Sequence, residues 1–92
     1  MSNVKLILSF NQFDAVGSLF LQNIDSQERQ LIHYVLPNTC GPYVRQAALQ
    51  FEQNDLILIG DNREFLNGLQ NIILEEYIKN YDNNTLNITI IT

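Results

Sequence analysis

Residues 56–80 constrain the fold more than any other stretch of the chain. An apolar run, Leu56-Ile57-Leu58-Ile59, passes through Gly60-Asp61 into a segment whose apolar residues recur at helical spacing. Phe65, Leu69, Ile72, Ile73 and Tyr77 lie three and four apart with Leu66 beside them, which places them on one face of a helix over 62–80. Such a face needs a sheet to cover. Asp61 stands three residues before Glu64, an acidic variant of the capping box in which each carboxylate accepts from N–H groups left free at the helix start. Gly68 lowers helix propensity, and a close approach of backbone to the sheet would explain its presence. Asp82-Asn83-Asn84-Thr85 stops the helix, and residues 86–91 then alternate apolar with polar as a strand does.

The first half reads as strands. Val4, Leu6, Leu8 and Phe10 fall on one side of a first strand, Asn11-Gln12-Phe13-Asp14 supplies turn chemistry, and residues 16–21 form a neighbouring strand. Asp25-Ser26-Gln27-Glu28 interrupts again before a third apolar run over 31–36, which Pro37 ends by removing a backbone donor. Residues 37–42, with Pro and Gly at both ends, read as a loop. The segment 43–51 fits a strand that turns Tyr43, Ala47, Leu49 and Phe51 inward, and it also fits two helical turns through Tyr43, Ala47, Ala48 and Phe51. The strand is favoured, because Glu52-Gln53-Asn54-Asp55 makes a natural hairpin connection to 56–59. The expected fold is therefore α+β: residues 1–92 as a single domain, with one antiparallel or mixed β-sheet of about five to six strands and one long C-terminal helix packed on one face.

A chain of 92 residues with 46% hydrophobic content can bury one core, but it is too small for a deep multi-part active site. Its formal charge of -5 disfavours direct nucleic-acid binding, which needs a basic stripe to follow phosphates. The charge is unevenly spread. Through Phe51 the acids Asp14, Asp25 and Glu28 are matched by Lys5, Arg29 and Arg45; beyond it Glu52, Asp55, Asp61, Glu64, Glu75, Glu76 and Asp82 face only Arg63 and Lys79. A basic partner would be steered to the second half. The start Met1-Ser2-Asn3-Val4-Lys5 leads into too few apolar residues for a secretory segment, and no membrane span is expected. With one cysteine, Cys40, and no export signal, a cytoplasmic protein is the expectation.

Catalytic chemistry finds little material. His33 and Cys40 are the sole histidine and cysteine, too thin an inventory for a closed metal site, so neither metal nor cofactor is expected and the chain is read as a non-enzyme. Glu75 and Glu76 are adjacent and diverge on a helix, so they form no facing acid–base pair. Gly60-Asp61 follows a strand as a phosphate-binding turn would, but the glycine-rich pattern and P-loop lysine are missing. Tyr34, Tyr43, Tyr77, Tyr81 and Phe13 are the aromatic residues that could anchor an interface.

The segment Leu56-Ile57-Leu58-Ile59-Gly60-Asp61-Asn62-Arg63-Glu64-Phe65-Leu66-Asn67-Gly68-Leu69, with its helix and closing strand over 86–91, resembles the strand, Gly-Asp turn and helix of small bacterial immunity proteins of polymorphic toxin systems. The likeness covers under half of the chain. It implies a cytosolic protein that neutralises a partner toxin by binding it; phage-encoded inhibitors of host defence nucleases share the same profile. The expected partner is a protein with a basic surface. Asp61, Glu64, Glu75, Glu76, Tyr77, Tyr81 and Asp82 are the candidate binding residues, with Tyr77 and Tyr81 as anchors if exposed. The competing reading is a structural or regulatory subunit that forms a homo-oligomer through an exposed strand. Residues 86–92, apolar and free of lysine, would serve as that strand and join two copies in a homodimer, unless they lie centrally, between the N-terminal strands and 56–59.

Overall fold

The structure, a computed structural model, describes residues 3–92; Met1 and Ser2, read above as part of the N-terminal start, lie outside the described residues. Five strands alternate with two helices in the later half: β1 Val4–Ser9, β2 Gly17–Asn23, β3 Arg29–Val35, α1 Cys40–Gln50, β4 Asp55–Ile59, α2 Arg63–Lys79 and β5 Asn87–Ile91. They form one mixed sheet in the order β3-β2-β1-β4-β5. β1 pairs antiparallel with β2 and β2 with β3, whereas β1–β4 and β4–β5 are parallel. The fold is α+β.

Parallel strands cannot be joined by a tight turn, so α1 carries the chain from β3 across to β4 and α2 from β4 to β5. Both crossovers move across the sheet in the same direction, and the right-handedness of such connections puts both helices on one face. There Leu6, Leu8 and Phe10 of the first strand segment meet Leu19, Leu56 and Leu58, Val44 and Ala47 of α1, and Leu66, Leu69, Ile73 and Tyr77 of α2 in one core. Among the described residues no helix covers the opposite face. Its middle row is Leu31, Phe20, Ile7, Ile57 and Thr89, in register across all five strands. Ile7 is nonetheless only 1% exposed, because Phe20 and Ile57 flank it. The Arg29 guanidinium lies 5.5 Å from the centre of the Phe20 ring, a cation–π contact that shields the ring further.

Two expectations need correcting. Residues 43–50 belong to a helix, not a strand, with Phe51 as its C-cap, and the described residues hold two α-helices where one was expected. Cys40, Val44, Ala47 and Ala48 recur at helical spacing and are buried, whereas Leu49, which the strand reading turned inward, is 58% exposed. The hairpin to β4 disappears with it. The loop expected over 37–42 is instead a 3₁₀ turn, Pro37–Thr39, running into the first turn of α1. Pro42 is tolerated there because N–H groups of a first turn have no helical acceptor. Gly41 lets the helices cross closely: a Cβ on it would stand 3.1 Å from the Ile72 carbonyl oxygen and 3.3 Å from Glu76 Cβ.

The start of α2 also differs in detail. Asn62, not Asp61, is the cap, its side chain accepting from the Phe65 N–H at 2.9 Å. Gly68 faces open space rather than the sheet, with nothing within 4 Å of the position a Cβ would take. Its helical position needs no glycine. Gly68→Ala is therefore expected to raise stability by about 0.5–1 kcal/mol, read as a higher urea midpoint at an unchanged slope; a lower midpoint would reveal a packing constraint at this site.

Candidate interaction surface

The seven candidate residues do not converge on one site. Asp61 and Glu64 lie at the start of α2, and Glu75, Glu76, Tyr81 and Asp82 at its end, about 25 Å away for seventeen residues at about 1.5 Å each. Tyr77 leaves the set altogether. It is 6% exposed within the core, so it cannot serve as an accessible anchor. Burial, with the Asp82 charge nearby, pushes its hydroxyl pKa up.

At the far end of α2, Asp82 is occupied by Arg45 of α1, whose Nε and Nη2 donate to the two carboxylate oxygens at 2.7 and 2.9 Å. This bidentate pairing holds the Asp82 carboxyl below the usual carboxylate range. The charge balance read along the chain therefore changes in space, since a cation of the first half neutralises an acid of the second. Tyr81 is 91% exposed and sits in the left-handed region at φ 56°. It occupies the position past the helix end that glycine usually takes: its N–H donates to the Ile78 carbonyl at 3.0 Å and that of Asp82 to the Tyr77 carbonyl at 3.1 Å. α1 ends in the same way, with Glu52 at φ 54°.

The near end is built differently. β1 and β4 are adjacent and parallel, and the chain leaves them in opposite directions, the place where open α/β sheets ordinarily form a ligand crevice. Here hydrogen bonds close it. The Phe10 N–H donates to the Ile59 carbonyl at 2.8 Å and the Gln12 N–H to Asp61 Oδ1 at 2.8 Å. Asn62 Nδ2 donates to Gln12 Oε1 at 2.9 Å. Asp61 thus ties the 11–16 loop to the helix start instead of capping the helix.

This clasp has a consequence for Phe13, the residue after Gln12. The turn is closed again by the Asp14 N–H donating to the Asn11 carbonyl at 3.1 Å, and the Phe13 ring projects from it 91% exposed. The loop backbone that carries this large aromatic side chain is already ordered by those bonds, so binding has chiefly the ring's own rotamer freedom left to remove. Asp14, Asp61 and Glu64 at this end are all exposed. Among the described residues the only ion pair is Arg45–Asp82, so none of these three carboxylates is ion-paired. Phe13 was legible in the sequence as an aromatic residue but not as the dominant one, because its isolation from the core depends on where β1 ends.

Cys40 is buried with its thiol donating to the Pro37 carbonyl at 3.3 Å, and burial pushes its pKa up to about 11, so it is a poor nucleophile at neutral pH. The His33 ring packs against Tyr43 with centroids 4.7 Å apart. Among the described residues no three His, Cys, Asp or Glu side chains gather as a metal site would require, and no helix is long and apolar enough to cross a membrane. Two shallow clefts of similar size flank the helices, one of about 260 Å³ beside Leu49, Gln53, Tyr77 and Asn83 and one of about 270 Å³ beside Pro42, Ile72 and Glu75. Comparison with protein-family models, with curated proteins and with solved structures gave no match.

Proposed function

We propose that this chain is a small acidic binding protein of the cytoplasm that inhibits a partner protein stoichiometrically, as an immunity protein neutralises a toxin or a phage-encoded inhibitor blocks a host defence nuclease. The observation that carries the reading is Phe13, 91% exposed on a loop clasped to Asp61 and Asn62, with Asp14, Asp61 and Glu64 at the same end. An apolar anchor supplies affinity when a partner pocket desolvates it, while the carboxylates around it attract a basic rim and speed encounter. The near end is preferred because at the far end of α2 Asp82 is neutralised by Arg45 and Lys79 lies within reach of Glu75 and Glu76 along the helix, whereas Arg63, the cation of the near end, has its guanidinium on Thr92 Oγ1 at 3.5 Å rather than on a carboxylate. The shallow concavities and the protonated, buried Cys40 favour binding over catalysis. A cytoplasmic location is supported by that same thiol, which has no second cysteine to pair with.

The test uses a partner recovered by affinity capture and then purified. Phe13→Ala is expected to accelerate dissociation at least about tenfold, the loss of a typical interface anchor. Asp14→Lys with Glu64→Lys should slow association and flatten its salt dependence while leaving the melting temperature unchanged. Glu75→Lys with Glu76→Lys, at the far end, should do much less. Asp61 is left in place, since removing it would free the loop. If the partner keeps full activity at equimolar inhibitor, the function is rejected; if only the far-end reversal slows association, the site is rejected and Tyr81 becomes its centre.

The second reading, a subunit that assembles with copies of itself, is favoured by a separate observation on strand β5.

A further inference from the structure

The two edges of the sheet are not alike. The β3 edge carries the charged Arg29, its pairing with β2 is irregular at Leu19 and Phe20, and Pro37 follows it closely. Charge, irregular pairing and proline are the usual devices that keep one sheet edge from recruiting another. β5 has none of them. Asn87–Ile91 is uncharged, pairs in unbroken register with β4 and, among the described residues, with no other strand.

Hydrogen bonding shows which groups that edge offers. The Asn87 N–H donates to the Asn54 carbonyl at 2.8 Å and the Ile91 carbonyl accepts from the Gly60 N–H at 3.2 Å, so residues 87, 89 and 91 turn their backbone polar groups toward β4. The alternation of a strand then points the N–H and C=O of Ile88 and Ile90 outward, with their side chains on the helix-covered face. This arrangement is self-complementary. Laying a second β5 antiparallel about Thr89 places Ile88 opposite Ile90 of the other copy twice over, and each such pair exchanges two N–H···O bonds. Thr89 meets its own copy in the closer, non-hydrogen-bonded position, a favourable threonine pair on the open face.

The flank of α2 above β5 fits the same partner. α1 crosses α2 on the side of Ile72 and Glu76. The opposite flank is set by helical spacing as Asn67, Gln70, Leu74 and Ile78, without a carboxylate, and Ile78 is 71% exposed. A strand edge and a helix flank that both lack acid thus adjoin on a chain whose formal charge is -5, with Arg63 the one cation beside them, its guanidinium donating to Thr92 Oγ1 at 3.5 Å. Two copies of such a chain can approach closely only where neither carries acid.

We infer that β5 pairs with β5 of a second copy, centred on Thr89, to give a two-fold dimer with one ten-stranded sheet and the α2 flanks facing across the axis. The inference does not depend on the inhibitor function. Sedimentation of the intact chain should show the 10.6 kDa monomer doubling in mass as concentration rises from micromolar to millimolar. Because both copies are acidic, added salt should strengthen this association, opposite to its effect on capture of a basic partner. Thr89→Lys sets two ammonium groups against each other on the open face and should weaken the dimer roughly tenfold or more, with far-UV circular dichroism unchanged. Thr89→Cys places two thiols at a Cα separation of about 4.5 Å, within disulfide reach, so mild oxidation should cross-link it through residue 89 while buried Cys40 stays reduced. A monomeric mass at every concentration overturns the inference, as does a dimer that Thr89→Lys leaves intact or in which Thr89→Cys fails to cross-link.

Discussion

Leu69→Ala will lower the free energy of unfolding by about 2–5 kcal/mol, the cost of deleting a buried leucine and leaving part of its cavity unfilled. Leu69 is 2% exposed and belongs to the α2 stripe with Leu66, Ile73 and Tyr77, the residues that bind the helix to the sheet. A 92-residue domain has a stability of only about 5–15 kcal/mol, so this one change removes a large fraction of it. Urea titration followed by circular dichroism should show a lower midpoint at nearly the same slope. A loss below about 1 kcal/mol would mean that the helix face closes over the gap, toward the low end of what core truncations cost.

Gly60→Ala should also destabilise, by about 1–3 kcal/mol or more, for the opposite reason of too much volume. A Cβ on Gly60 would collide with the Phe10 carbonyl oxygen and stand 3.0 and 3.3 Å from the two methyl carbons of Leu66. Neither neighbour yields easily. The Phe10 N–H is tied to the Ile59 carbonyl, and Leu66 is fully buried. Relief must come from separating β1 and β4 at the point where the Gln12–Asp61 clasp begins. Amide exchange at Phe10 and Gln12 should therefore accelerate more than exchange in β2. An unchanged melting temperature with unchanged exchange at both amides would show that the turn has slack absent from this geometry.

The contrast between the two helices explains how far the sequence could be read. α2 was legible because its apolar stripe, from Phe65 to Tyr77, extends over about three and a half turns, long enough that strand alternation cannot imitate it. α1 has only eleven residues, and its stripe of Cys40, Val44, Ala47 and Ala48 uses small side chains that look alike at periods of two and of three to four. Gly41 and Pro42 then read as punctuation, although one makes the helix crossing and the other sits harmlessly in a first turn. The candidate site divides in the same manner. Glu64 was recognisable as an exposed acid, but the fates of Tyr77, Asp82 and Asp61 were set by neighbours from distant parts of the chain: the core, Arg45 and Gln12.

What the sequence alone determined is what depends on near neighbours: the α2 stripe, the strands β1, β2 and β3 and their turns, the α+β class, and the thin inventory of catalytic groups. The tertiary structure decided the order β3-β2-β1-β4-β5, which leaves β5 at an edge rather than among the central strands. It also decided which acids are ion-paired and where Phe13 emerges. The physical reason is that local pattern encodes which face of an element is apolar, whereas strand order and charge pairing arise between residues tens of positions apart, as with Arg45 and Asp82 or Gln12 and Asp61. Sequence spacing carries no record of those distances until the sheet has closed them.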